Sequence, residues 1–234
     1  MIEILAIFFT AILLRSIFGF GDALIAMPLL SLVLGIKVAV PLFAICALST
    51  ALTLMVTNWH TIDFKSVRKL FLGTLFGIPL GVFLIQILPE KLVLIGLGLF
   101  LIIFGLSQLL KVKLPKPERS FWAYGFGFVA GILGSAYNVN GPPIITYSTL
   151  CRWSPERTRA TLQGYFFPSG LMIVASHWFS GLLTLEVLRL YCWVIPVILL
   201  ATFLGNKIQR RMSSQRFEAL LFLMLIALGV RLLV

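Results

Sequence analysis

The sequence predicts an all-α polytopic membrane protein built from two inverted-topology repeats of about five helical elements each, with a short broken or re-entrant helix in each half. Three observations lead there. Hydrophobic residues make up 60% of the 234-residue chain and charged residues only 12%, against roughly 25% in a soluble domain, and the mean hydropathy is +1.05. Apolar runs recur along the whole length, without the alternation that a membrane β-barrel needs. Lys and Arg gather in clusters that fall between every second pair of apolar runs, the signature of loops on one side of a bilayer.

A full span needs about 20 apolar residues. Five elements precede a basic linker, over roughly 2–18, 23–35, 38–57, 67–88 and 91–110; five follow it, over roughly 121–135, 142–151, 158–178, 187–206 and 215–233. The opening run carries Glu3 where a secretory signal has basic residues, and no small-residue cleavage site follows, so it reads as a retained span. Pro41, Pro79, Pro168 and Pro196 start or kink helices, which transport proteins tolerate. Trp59 and Trp178 close long segments and suit the interfacial belt; His60 and His177, beside them, read as interfacial histidines without a chemical role. The resulting organisation is a first membrane repeat over 1–110, a cytoplasmic linker over 111–119 and a second membrane repeat over 120–234.

The halves resemble one another. Pairing Pro28 with Pro143 also pairs Gly19 with Gly134, and a longer offset pairs Gly81 with Gly205 and Gly105 with Gly229. The same elements are short in both halves, 23–35 and 142–151. At about 1.5 Å per residue neither crosses a bilayer comfortably, and paired short, Gly/Pro-interrupted segments mark the binding site of a carrier. The basic clusters are Lys65, Arg68 and Lys69; Lys111, Lys113, Lys116 and Arg119; Arg152, Arg157 and Arg159; and Lys207, Arg210, Arg211 and Arg216. Neighbouring clusters are two elements apart, so all four lie on the cytoplasmic side. Both termini then fall outside, and the halves cross in opposite senses whether each short pair crosses or re-enters.

The stretch Gly134-Ser-Ala-Tyr-Asn138-Val-Asn140-Gly-Pro-Pro143 concentrates polar and helix-breaking residues in an apolar chain. Pro is favoured at the first helical position with Asn before it as cap. A helix is therefore expected to start near Pro142, its positive pole facing Asn138, Asn140 and Gly141, where an anion can rest. Arg15 and Asp22 flank Ser16-Ile-Phe-Gly19-Phe-Gly21 in the first half. For Arg15 the alternatives are a substrate counter-charge or a charge that snorkels to the interface; for Asp22, a site carboxylate or the cap of its own helix. Tyr137, Tyr147, Thr161, Gln163 and Tyr165 add polar groups nearby. The candidate binding residues are thus Arg15, Gly19, Gly21, Asp22, Asn138, Asn140, Gly141, Pro142 and Gln163. Cys46, Cys151 and Cys192 have no metal or redox spacing and read as small buried hydrophobes. No nucleophile elbow, phosphate loop, zinc spacing or paired carboxylate occurs, so neither catalysis nor a cofactor is expected, and the net charge of +11 belongs to cytoplasmic loops rather than to nucleic-acid binding.

Arg15-Ser-Ile-Phe-Gly-Phe-Gly-Asp-Ala-Leu-Ile-Ala-Met-Pro28 resembles the first-half signature of the TauE/SafE sulfite exporter family. Asn140-Gly-Pro-Pro143 with Trp153-Ser-Pro-Glu-Arg157-Thr-Arg159-Ala-Thr-Leu-Gln163 resembles its second half. Asp22 and Asn140 depart from the family's common choices, a neutral residue and Gly. The resemblance covers essentially the whole chain. It implies transport of sulfite, sulfonates or sulfoacetate across a bacterial inner membrane, with a small anion and the lipid bilayer as partners and a homodimer left open. A membrane scaffold or assembly factor, or an anion channel, is the alternative. Direction and coupling ion are not written in the motifs.

The charge pattern makes topology testable. In a cysteine-free background, a single cysteine replacing Lys116 is expected to resist an impermeant maleimide on intact cells, while one appended at the C-terminus is labelled. The opposite pattern overturns the orientation.

Overall fold

A computed structural model describes residues 1–18, 21–58, 64–110, 121–209 and 215–233. Those residues form ten α-helices: α1 (Ile2–Phe18), α2 (Asp22–Leu34), α3 (Ile36–Asn58), α4 (Phe64–Ile87), α5 (Glu90–Leu109), α6 (Trp122–Tyr137), α7 (Gly141–Leu150), α8 (Pro155–Phe179), α9 (Leu185–Gln209) and α10 (Gln215–Leu233). Every expected element is present within a few residues of its expected bounds. The basic linker, Trp59 and His60 lie outside the described residues. Among the described residues, four stretches are long and apolar enough to cross a membrane: Ile36–Thr53, Val67–Ile87, Glu90–Leu109 and Leu185–Gly205. Large apolar side chains such as Phe76, Ile103, Trp193 and Phe203 are exposed on the outside of the bundle, an arrangement that water penalises and lipid accepts.

The helices pack as α4 along α6, α5 along α10, α1 along α9 and α3 along α8. Small residues set the closest approaches. Gly73, Gly77 and Gly81 of α4 face Gly127, Gly131 and Ser135 of α6: a Cβ on Gly77 would collide with Phe128 O, and one on Gly131 with Thr74 O. Ser135 Oγ donates across this interface to Ile78 O at 2.9 Å as well as to Gly131 O in its own helix. On the other flank a Cβ on Gly205 of α9 would collide with Ser16 of α1. Between α5 and α10, a Cβ on Gly98 would stand 2.8 Å from Gly229 O, and one on Gly229 2.7 Å from Gly98 O. In a bilayer, where lipid tails are as apolar as leucine, such backbone-to-backbone packing drives helix association.

Two hairpins interrupt the bundle. α1 ends near Arg15, α2 starts at Asp22, and Arg15 reaches Ala47 O near the middle of α3 at 3.4 Å. α2 then runs back to Gly35, whose φ of 74° lies where glycine is at ease, and the chain turns directly into α3. There the backbone N–H of Ile36 donates to Glu90 Oε1 at 2.6 Å, tying this corner to the start of α5. The second hairpin turns at Asn138, in the left-handed region with φ 56°, one of the few non-glycine residue types that tolerates it. Its N–H bonds Gly134 O at 2.8 Å and the next bonds Leu133 O at 3.1 Å, closing α6. Gly134 is required here, since a Cβ would stand 2.9 Å from Asn140 Cβ. α2 has 13 residues and α7 has 10, about 20 and 15 Å of helix, both short of a hydrocarbon core of about 30 Å.

Two expectations need correction. His177 is not an exposed side chain like Trp178 beside it: it is fully buried, and its Nε2 lies 2.9 Å from Ser135 O, because its face of α8 packs against the α4–α6 pair. Of the three cysteines only Cys46 is buried, while Cys151 is half-buried and Cys192 exposed.

The interhelical contacts predict a sharp contrast. Gly77→Ala should destabilise the protein in detergent by several kcal/mol, at or beyond the roughly 1–3 kcal/mol of ordinary overpacking, because the new methyl meets backbone. Gly125→Ala, with open space around it, should be neutral or stabilising by up to about 1 kcal/mol. Thermal unfolding of the two variants side by side checks this.

Candidate functional site

The tips of the two hairpins meet around a cavity. It is small and partly open, and is lined by Arg15, Gly21, Asp22, Asn138, Asn140, Gly141 and Pro142 with apolar residues of α2, α3 and α8. Seven of the nine sequence-predicted site residues are therefore brought together. Gly19 lies outside the described residues, as does the side chain of Gln163.

Arg15 does not snorkel. It is 3% exposed, and its guanidinium donates to Asp22 Oδ2 at 2.9 Å. Its carbon centre lies 4.9 Å from the centroid of the Phe166 ring, within cation–π range. Its Nε is buried without a hydrogen-bond partner among the described residues. Asp22 opens α2, but its side chain does not cap it: Gly21 occupies the cap position with φ 98°, and no side-chain cap bond forms. The carboxylate goes to Arg15 instead, because a buried guanidinium without a counter-charge is costlier than an uncapped helix start.

The asparagines also depart from expectation. Asn140 holds the cap position of α7 without a side-chain cap bond; its Nδ2 reaches only Ser169 Oγ, at 3.5 Å. Asn138 Nδ2 donates to Val40 O on α3 at 2.8 Å and stands 3.8 Å from Met27 Sδ. It braces the second hairpin tip against the first half rather than facing open space. Pro142 and Pro143 bring no N–H, so α7 offers fewer backbone donors than a generic helix start; α2, with Asp22, Ala23 and Leu24 in its first turn, offers more. Both starts direct their positive poles at the cavity. Since Arg15 and Asp22 cancel, the cavity is neutral in formal charge and positive in dipole.

The other polar candidates serve packing. Tyr165 OH is 2.7 Å from Thr74 Oγ1 on α4, Tyr147 stacks edge-on against Trp153, and Tyr137 lines the core beside Gly96. Thr161 is buried with its hydroxyl unpartnered among the described residues. Phe43, Leu48, Phe166, Gly170 and Ile173, which complete the wall, carry no sequence signal. They are apolar residues in apolar helices, and only tertiary packing selects them.

A model of the sulfite exporter TauE/SafE family matches residues 4–232. Such coverage defines the class of protein: a membrane transporter, not an enzyme. The chain belongs to the sulfite exporter TauE/SafE family. It is 27% identical over 233 residues to the "probable sulfite/organosulfonate exporter TauE" of Cupriavidus necator, covering 94% of this chain and 88% of that one. It is 24% identical over 206 residues to the "probable membrane transporter protein YunE" of Bacillus subtilis, covering 77% of this chain and 74% of that one. No solved structure matches significantly.

The buried pair predicts non-additive stabilities. Arg15→Gln and Asp22→Asn should each lose about 3–5 kcal/mol, because each strands a partner. The double variant should recover much of that loss. A double-mutant cycle by thermal unfolding measures the coupling; additive losses would contradict a close pair.

Proposed function

We propose that the protein is a secondary transporter of small sulfur-containing anions, sulfite or organosulfonates such as sulfoacetate, in a bacterial cytoplasmic membrane, with both termini outside. The observation that carries this reading is Arg15, the one buried arginine among the described residues, placed with two helix starts around a cavity between the hairpin tips. A planar guanidinium suits the oxygens of a sulfur oxyanion better than a point charge does, and helix starts supply N–H groups and positive potential. The printed name of the Cupriavidus relative supports the substrate class. A dedicated anion-binding cavity has no use in a scaffold. Saturation kinetics and counter-transport separate a carrier from a channel.

The site is best read as the junction of two inverted repeats. Exchanging α1–α5 with α6–α10 maps the main helix pairings onto one another: α1·α9 onto α6·α4, α1·α2 onto α6·α7, and α3·α9 onto α8·α4. An offset of 119 pairs Asp22 with Gly141 at the two helix starts, and Ser16 with Ser135, each of which meets a glycine of the opposite half, Gly205 and Gly81. This register supports the duplication better than the pairing of Pro28 with Pro143, which is one turn out. In this reading α1–α2 enters from outside and α6–α7 from the cytoplasm, each turning back near the midplane.

Uptake and efflux of labelled sulfite, methanesulfonate and sulfoacetate in proteoliposomes of the purified protein test the reading; saturable transport of at least one is expected. Asn140 provides the residue-level check. Asn140→Ala should keep part of the transport and Asn140→Asp roughly tenfold less, a gap of about 1.4 kcal/mol, since the carboxylate adds negative charge beside the anion. If Asn140 served only the helix start, the order would reverse, because Asp caps as well as Asn while Ala loses about 1 kcal/mol.

A further inference from the structure

Asp22 is the one carboxylate among the cavity-lining residues, and it faces the one cation there. Its side chain is 10% exposed and that of Arg15 4%, with 2.9 Å between them. Among the described residues, nothing else ionisable lines the cavity. On the elements packed around it, Glu3 lies at the far end of α1, Lys37 at the start of α3, and Glu90 and Lys91 at the start of α5. His177 lies one turn beyond Ile173 on α8 and is engaged with Ser135 O, Tyr165 on the same helix is engaged with Thr74, and Cys46 on α3 and Tyr137 on α6 are packed into the apolar core. Among the described residues, no other cation lines the cavity to offset a second negative charge.

An incoming anion wants the same guanidinium. Arg15 is held by Asp22 through one nitrogen, NH1; its Nε has no partner among the described residues. Two oxygens of a sulfite or sulfonate can engage Nε and the other terminal nitrogen together, the forked geometry that arginine favours. One guanidinium then faces two anions inside a largely apolar wall. Two negative charges that share one counter-charge in such a wall do not both stay ionised, and the carboxylate, unlike a sulfonate, can take up a proton.

We propose that Asp22 is a proton-binding site linked to the anion, so that loading of the cavity by one anion is accompanied by uptake of one proton. The proposal rests on the anion reading of Arg15. In the empty carrier Arg15 is paired with the Asp22 carboxylate. On loading, the anion takes the guanidinium and a proton from the adjoining water converts the carboxylate to the carboxylic acid; on release, the proton leaves and the pair closes again. A monovalent sulfonate then moves with one proton and no net charge. The neutral pair also makes the empty carrier less costly to reorient than one holding a bare arginine.

Methanesulfonate, a permanent monoanion, is the probe, because its own charge does not titrate. Its binding to the purified protein in weakly buffered solution should draw in about one proton per anion bound. Affinity should fall as pH rises, by up to about tenfold per unit, since the free carrier must gain a proton to bind. Transport in proteoliposomes should be insensitive to a potassium-diffusion potential. Asp22→Asn should bind with affinity independent of pH and transport with net charge movement, hence voltage-sensitively; where that variant does not fold, the wild-type measurements decide. Binding without proton uptake, or voltage-driven wild-type transport, overturns the proton site and leaves the anion site standing. Failure of the wild type to bind methanesulfonate, with sulfite showing no pH-linked proton uptake beyond its own titration, overturns the proton site; failure to bind either anion overturns both readings.

Discussion

A guanidinium buried in apolar surroundings must bring its counter-charge with it, and the first half of the chain is arranged around that requirement. Arg15 sits near the end of α1 and Asp22 at the start of α2. The contact of 2.9 Å between them closes the hairpin across residues whose backbone has to reverse direction. Because the carboxylate is spent on the arginine, α2 starts without a side-chain cap, and Gly21 takes the left-handed conformation that lets the helix begin there. Asp22 stays compatible with its position, since a negative charge in the first turn complements the helix dipole. One pair thus neutralises the arginine, fixes the turn and complements the start of the following helix.

The second hairpin solves the same reversal without charge. Asn138 supplies the left-handed residue and sends its amide to Val40 O on α3. Gly141 and two prolines start α7. At the positions that answer to Arg15 and Asp22 in a repeat offset by 119 residues, the second half has Gly134 and Gly141. Gly134 is packed against Asn140 and Ile173, so a second arginine would not fit. The cavity between the two hairpins therefore holds one ionic pair among the described residues, and that asymmetry suits a site for a single anion.

The helices were legible because each is a run of apolar residues bounded by Gly, Pro or basic clusters, signals that act over a few residues. The short elements α2 and α7 and the residues at their starts were legible for the same reason: polar and helix-breaking residues stand out against an apolar background. What a side chain does once there was not. Asn138 and Asn140 look like caps by position, yet Asn138 bonds α3 and Asn140 faces Ser169 on α8, partners 98 and 29 residues away that no local pattern reveals. His177 reads as interfacial from sequence because it neighbours Trp178; one helical step of about 100° turns the histidine toward Ser135 on α6 and leaves the tryptophan exposed. In the proposed repeat, Pro28 and Pro143 are the conspicuous pair in sequence, whereas Ser16 and Ser135 come to notice only through the glycines they meet.

Those glycine contacts also bear on how the cavity can open. α1 is clamped to α9 through Ser16 and Gly205, and α6 to α4 through Gly73, Gly77, Gly81, Gly127 and Gly131. Each hairpin is thus bound to a helix of the opposite half. Backbones in van der Waals contact do not slide past one another by small amounts, because packed interfaces offer discrete arrangements rather than a continuum. Any motion that exposes the cavity to alternate sides is therefore taken up elsewhere, between the α1–α2–α9 group and the α4–α6–α7 group, where α3 and α8 cross. Among the described residues, α3 is tied to the first group through Ser49 and Tyr191 at 2.7 Å and Arg15 and Ala47 O at 3.4 Å, and α8 to the second through Tyr165 and Thr74 at 2.7 Å and His177 and Ser135 O at 2.9 Å. The bond from Asn138 to Val40 O at 2.8 Å joins the second hairpin tip to α3 and so holds against opening, while the Arg15–Asp22 pair lies wholly within one group and can persist through the movement.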